Sequence, residues 1–430
     1  MTIKCLRYVV PLLLLGCGSA SLQSPDGGTG GPSLASGGAG GGFAGAGGSA
    51  GAAGHAGAAG GAAGAAGHAG AGGAAGAGGV AGAGGAAGGG GAAGTGGAGC
   101  GDIASSAANC GACGHSCGGG TCNLGLCQPM ALTGVIASSI SVDQTQLYFS
   151  NGNKLLACPK SGCTLQPTQL DDMGVDGYPV GDVLVTNGSL FFESAPTQNT
   201  ERDSVFMCPL VGCPSPAPTI VHSGLEGLWW FGNTGNDVYY SIDGKQASRL
   251  SCQPNAGTCS TGSVVVPEIP TFLTANSSEI YFVDTLGLQK CPYAGCPGTT
   301  ATATGATVLS SMVPTGIVYF AGTGLIYMSF GDSNHFGSGA IRTCTTASCD
   351  TQTPKVFVSG RDVLTGLTVD ANGVYWVETS VIYTCPITGC VGGPKMMATG
   401  ISAPTVQPVT DDAFVYWIDD PAGTVKRVAK

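Results

Sequence analysis

Charge is what this sequence has least of. Asp, Glu, Lys and Arg make up 9% of 430 residues, against about a quarter in ordinary globular domains. The 15 Lys and Arg are outnumbered by 25 Asp and Glu, for a net charge of −10. So few cations cannot neutralise a run of phosphates, which excludes nucleic acid as a partner. Long apolar runs are missing as well. The stretch from Tyr8 to Leu15 is far shorter than the about 20 residues of a spanning helix. Helical periodicity is absent throughout, which excludes helical bundles and doubly wound α/β folds. No HExxH, P-loop, dinucleotide fingerprint or nucleophile–base pair occurs, and beyond residue 128 the histidines are His222 and His335. No cofactor and no metal is expected.

Glycine and cysteine are what the chain has in quantity, 78 and 20 residues. The N-terminal "MTIKCLRYVVPLLLLGC" carries Lys4 and Arg7 ahead of a short apolar run, the pattern of an export signal. Its end, Leu14-Leu15-Gly16-Cys17, resembles the lipobox of bacterial lipoproteins. The resemblance implies a signal peptide over 1–16, diacylation of Cys17 and acylation of the new amino terminus; an ordinary signal peptide is the alternative. Several acyl chains anchor far better than one, at about 0.8 kcal/mol per buried methylene. Residue 18 is Gly rather than Asp, so the expected address is the outer membrane or cell surface, lipid-anchored. The low charge density is in keeping with an extracytoplasmic setting.

Residues 17–99 read as a linker. From Gly27 to Gly99 there is no Asp, Glu, Lys or Arg, and no proline falls between Pro32 and Pro129. Glycine recurs at every third position from Gly42 to Gly60 and, after a slip of one, from Gly61 to Gly97. That period invites a collagen reading, but collagen needs imino acids or charge pairs that are absent here. Helix is opposed by the glycines, at about 1 kcal/mol each. A disordered Gly/Ala coil with a reach of roughly 50 Å is the expectation, with His55 and His68 as passengers in it.

Residues 100–127, "CGDIASSAANCGACGHSCGGGTCNLGLC", pack in Cys100, Cys110, Cys113, Cys117, Cys122 and Cys127. So short a segment with few large apolar residues needs staples. Cys110, Cys113 and Cys117 with His115 would suit zinc, but behind an export signal three disulfides are the expectation, with fifteen possible connectivities. The run "NCGACGHSC" and its trailing cysteines resemble the plant stigma-specific cysteine-rich family and a cysteine cluster of myxobacterial surface lipoproteins. The resemblance implies a small stapled module, read here as a collar ahead of the main domain.

From residue 128 the chain repeats. An aromatic run returns at Tyr148, Phe191, Tyr239, Tyr281, Tyr327, Tyr375 and Tyr416, with steps of 43, 48, 42, 46, 48 and 41 residues. That is the period of a four-stranded propeller blade. "GLTVDANGVYWVETSVIYTCPITGCVGGPKMMAT" (366–399) shows all four strands as "GLTV", "VYWVE", "VIYTC" and "KMMAT", separated by turn residues. Asp143, Asn187, Asn276, Asp370 and Asp411 precede the aromatic runs and are read as Asx-turn residues rather than metal ligands. "VDANGVYWVE" and "VTDDAFVYWIDD" resemble the YWTD- and NHL-type propellers of surface proteins. The expected fold is an all-β, seven-bladed propeller over 128–430, with six or eight blades as alternatives because the fifth unit is irregular. The seventh unit stops after three strands, and "MALTGV" (130–135) is expected to supply the fourth and close the ring.

The remaining cysteines come in pairs: Cys158 with Cys163, Cys208 with Cys213, Cys252 with Cys259, Cys291 with Cys296, Cys344 with Cys349 and Cys385 with Cys390. Each pair falls between the third and fourth strands of a blade, where a short bond gives little loop entropy but locks an outer hairpin. Setting aside Cys5 and Cys17, eighteen cysteines remain, enough for nine disulfides. Two long loops between second and third strands, 193–204 and 331–339, should lie on the face opposite these turns. With the loops between blades they offer Asp172, Asp176, Glu193, Glu201, Glu226, Asp332, His335, Arg361 and Asp362 as a candidate ligand face; loops on a rigid scaffold carry binding. Two functions follow. One is a monomeric lipoprotein presenting a propeller to an unknown surface protein, glycan or cation. The other is a propeller hydrolase or lyase acting on extracellular polysaccharide, which would need paired carboxyls beside the central channel.

Overall fold

The computed structural model describes residues 100–430 apart from short stretches such as 174–178, 195–202, 304–312 and 332–336. The signal, Cys17 and the Gly/Ala linker lie outside the described residues. Within them there is no α-helix, and the strands form seven four-stranded antiparallel sheets and one two-stranded ribbon.

The sixth blade shows why these sequences make blades. Its strands are Leu364–Val369, Gly373–Glu378, Val381–Pro386 and Lys395–Thr399, paired in that order. In the second strand every residue is buried, because neighbouring blades cover both of its faces. It therefore reads as the continuous apolar run "GVYWVE" rather than an alternation. The fourth strand, at the rim, is mostly exposed. The other complete blades span 139–172, 180–225, 228–266, 272–303 and 313–361. The irregular fifth unit is thus a full blade, and the ring has seven.

Closure follows the expected route. The seventh sheet contains Val409–Thr410, Phe414–Asp419 and Thr424–Ala429, and its fourth strand is Met130–Ala131 from the start of the domain. Met130 pairs with Arg427 and Ala131 with Lys426. Leu132 and Ala137 N–H groups extend the seam by donating to the oxygens of Val425 and Gly423, at 2.8 and 2.7 Å. The innermost strands touch in succession, and the last returns to the first. Serine and threonine tie them together: Ser139 and Ser141 hydroxyls accept from the Val183 and Val185 amides at 3.0 Å, and Thr274 from Tyr319 at 2.9 Å. Each inner strand has a bare backbone edge facing its neighbour, and these hydroxyls satisfy it.

The Asx reading holds for four of its five residues. Asp143 Oδ1 accepts the amides of Thr145 and Gln146 at 2.6 Å, and Asn276, Asp370 and Asp411 each take the corresponding amides two and three residues on. Asn187 lies outside the described residues. Burial alone would raise the Asp143 and Asp411 carboxyls, but both are held below the usual range. The two amides and the Tyr148 hydroxyl do so at Asp143; Lys160, the Tyr416 hydroxyl and two amides do so at Asp411.

Candidate functional site

Strands alternate in direction, so the first-to-second and third-to-fourth connections share one face of the ring, here the lower. The second-to-third and inter-blade connections share the upper. On the lower face, disulfides join Cys158 to Cys163, Cys208 to Cys213, Cys252 to Cys259, Cys291 to Cys296, Cys344 to Cys349 and Cys385 to Cys390. Their Cα separations are 4.0–5.5 Å.

The turns they close do more than lock a hairpin. The third residue of each six-residue turn reaches back to the preceding blade and covers its second-strand tyrosine. Leu210 packs against the cluster holding Tyr148, and Ile387 against that holding Tyr327. Lys160 pairs with Asp411 of the seventh blade at 2.6 Å, and the Arg427 guanidinium donates to the Lys160 oxygen. Tyr293 donates its hydroxyl to Asp237 of the third blade, while Arg249 donates to the Tyr293 oxygen and lies 4.5 Å from its ring centre. The second cysteine completes the latch: Cys163 N–H donates to Leu132 O at 3.0 Å and Cys296 N–H to Val265 O at 2.9 Å. At every turn the second cysteine also packs backward, Cys163 against the cluster of Tyr416 and Cys296 within that of Tyr239. Cys213, Cys259, Cys349 and Cys390 join the clusters that hold Tyr148, Phe191, Tyr281 and Tyr327 of the preceding blades. The glycine before the second cysteine has a positive φ in four turns, 94–139°, and at Gly295 a Cβ would lie 2.8 Å from Val265 Cα. Glycine in the CPxxGC pattern thus serves the positive φ of the turn, and at Gly295 a close backbone approach between blades as well.

The seventh unit has no such turn, so the sixth blade needs another cover. The 100–127 module supplies it. Its disulfides are Cys100–Cys113, Cys110–Cys122 and Cys117–Cys127, and its ribbon pairs Cys122–Asn123 with Leu126–Cys127. Cys110, Cys117 and Cys127 share one buried cluster with Tyr375, Trp417 and Val428. Gly118 O accepts from Arg427 at 2.6 Å. Both ring nitrogens of His115 face backbone oxygens, those of Cys110 and Lys430, at 2.5 and 2.6 Å. Cys110, Cys117 and Cys122 sulfurs lie within 4.8 Å of one another, and each belongs to a disulfide. Lys430 lies 4.9 Å from the Tyr375 ring centre and reaches the Asp370 carboxylate.

Among the described residues, the junction after the fourth blade is partly open. Between the fourth and fifth blades the covering residue is Thr346, whose oxygen is 3.5 Å from the Tyr281 hydroxyl. A cavity of about 610 Å³ remains, lined by Ser278, Glu279, Lys290, Pro292, Thr346 and Ala347 among others. Glu279 Oε1 accepts from Lys290 at 3.0 Å and Oε2 from the Tyr281 hydroxyl.

On the upper face, the four described candidates are all engaged. Asp172 accepts from Asn153 at 2.9 Å and lies 3.9 Å from Lys154. Burial and the neighbouring Asp172 raise the Asp171 carboxyl beside it. Glu193 is buried, in space left by the missing side chain of Gly181. Arg361 reaches one oxygen of Glu378, Oε2, through Nε and Nη2 at 2.7 and 2.6 Å, and stacks over Tyr383. Asp362 donates its amide to Glu378 and accepts from the Gly337 amide at 3.2 Å. Glu378 therefore pins the connection between fifth and sixth blades, and Asp362 ties the 331–339 loop to it. Asp176, Glu201, Glu226, Asp332 and His335 lie outside the described residues. His222 sits in the outer strand Thr219–Leu225 against the Tyr240 hydroxyl, its imidazole held below the usual range by burial.

Sequence reasoning missed the covering residues and the open junction. The third position of each six-residue turn carries Lys, Leu, Tyr, Thr or Ile, and no local pattern names its partner, which lies one blade back. Among solved structures, the propeller is similar to the WD40 β-propeller domain of Doa1, at 9% identity and a TM-score of 0.52 over 70% of this chain and 95% of that one. It is also similar to the β-propeller domain of Cps50 (Swd1) from Myceliophteria thermophila, at 11% identity and 0.50 over 70% and 99%. At such identities the likeness shows the fold alone. No family model and no curated protein matches the chain.

Proposed function

We propose that this protein is a recognition or scaffolding lipoprotein of the outer membrane or cell surface, anchored through Cys17 and presenting the upper face of its propeller to a surface protein or glycan. The observation that carries this reading is the division of labour between the faces. The described lower-face turns are largely consumed in holding blades together, whereas the upper face carries two long connections, which the strands bound at 195–202 and 332–338 rather than at 193–204 and 331–339. The low cation content and the Leu14-Leu15-Gly16-Cys17 motif support export and anchoring.

Two measurements test it. Cys17→Ser should move the protein from the membrane pellet to the soluble fraction, and unchanged fractionation overturns the anchor. A pulldown from outer-membrane extract with the soluble propeller should capture a partner whose binding is lost when 195–202 and 332–338, the stretches between strands, are replaced by Gly-rich turns. Full binding after both replacements overturns the face assignment.

A further inference from the structure

The junctions between blades 3 and 4 and between blades 4 and 5 are built from equivalent residues. In the third blade Tyr239 pairs across the sheet with Arg249, and Asp237 lies two residues before that tyrosine. In the fourth, Tyr281 pairs with Lys290, and Glu279 lies two residues before it. An acid, a tyrosine and a cation thus stand at the same three positions in both. At the first junction this triad holds a phenol: the Tyr293 hydroxyl bonds to Asp237 and its ring lies under the Arg249 guanidinium. At the second, the turn offers only Thr346, and the cavity of about 610 Å³ occupies the corresponding place.

We propose that this cavity binds a phenolic ring supplied from outside the propeller, in the pose Tyr293 adopts one blade earlier. The ligand hydroxyl donates to Glu279, which as a carboxylate retains acceptor capacity beyond its bonds to Lys290 and Tyr281. The Lys290 ammonium faces the ring as Arg249 does. The acid and the cation neutralise each other, so the site suits a neutral ring rather than a charged one. It lies on the lower face and is independent of the upper-face binding proposed above.

The probes are p-cresol, toluene and N-acetyl-tyrosine amide, titrated into the oxidised full chain by ligand-observed and protein-observed NMR. p-Cresol should bind in about the millimolar range, as befits so few atoms. Toluene should bind about tenfold more weakly for want of the hydroxyl. Thr346→Tyr should fill the cavity from within and abolish binding with the fold retained by circular dichroism. Tyr293→Thr should do the reverse and open a second site of the same kind. N-acetyl-tyrosine amide binding like p-cresol assigns the source as a protein side chain; binding by p-cresol alone assigns a free phenol. Equal affinity for toluene, no saturable p-cresol binding, or binding undiminished in Thr346→Tyr overturns the proposal. Should Thr346→Tyr fail to fold, Glu279→Gln must weaken p-cresol about tenfold without changing toluene, and an unchanged p-cresol affinity overturns it.

Discussion

Blade 7 meets its two neighbours by different means. Toward blade 1 the junction is covered by a six-residue disulfide turn that delivers one side chain, Lys160, onto Asp411. Toward blade 6 the cover is the 28-residue module 100–127, whose three disulfides span 10–13 residues and whose cysteines enter the core beside Tyr375 and Trp417. The turn adds a charge pair to its packed cysteine, Cys163; the module sets three cysteines in the core and adds the Arg427 bond to Gly118. A blade junction needs a cover held at a fixed place, and cysteine pairs provide the holding in both cases.

The largest way to break this comparison is to remove residues 100–127. Tyr375, Trp417 and Val428 would lose their cover, and the propeller should lose roughly 3–5 kcal/mol, read as a lower midpoint in chemical denaturation. Deleting 27–99 should leave the midpoint unchanged. Equal midpoints for the two deletions would show that the module is not part of the blade 6–7 junction.

A smaller effect is expected at the other junction. Lys160→Met leaves the half-buried Asp411 without its cation and should cost about 1 kcal/mol near neutral pH. The Asp411 carboxyl is held low in the folded state, so its contribution is present above the unfolded carboxylate range and is lost as pH falls through the depressed folded value. Thermal melts of wild type and variant should therefore differ at pH 7 and converge below about pH 4. A gap that persists undiminished in acid would assign the loss to packing instead.

An effect of the same size sharpens the comparison at its margin. Asp143→Ala removes the turn that starts the second strand under Tyr148 and should cost about 1 kcal/mol. Asp143→Asn should cost less, since the amide oxygen still accepts from Thr145 and Gln146. Identical losses for the two would place the effect in the carboxylate charge rather than in the turn.

The blades were legible because their signal is local. The second strand is buried on both faces, so "VYWVE" and its relatives stand out as uninterrupted apolar runs, and an Asx residue marks the turn before most of them. The truncated seventh unit announced its missing strand for the same reason. The junction covers were not legible, although every CPxxGC turn was in view. Lys160 meets Asp411 and Gly118 meets Arg427 only after the ring closes, across about 250 and 310 residues. No local pattern encodes such a pairing. On the upper face, charged residues were read as exposed ligand groups, yet Arg361 and Asp362 are held by Glu378, a residue whose place in a buried strand gave no hint of that task.

The position of the module in the chain has a mechanical consequence. The closing strand Met130–Ala131 makes two residue pairs and begins three residues after Cys127. Were it alone, a pull on the chain ahead of Cys100 would peel it from Thr424–Ala429 one bond at a time. Instead the load enters a cross-linked body first. The three disulfides spread it to Gly118 on Arg427, to His115 on Lys430 and to the apolar seat on Trp417, three contacts in place of one short strand. The seam that closes the ring sits downstream, in the slack part of the load path.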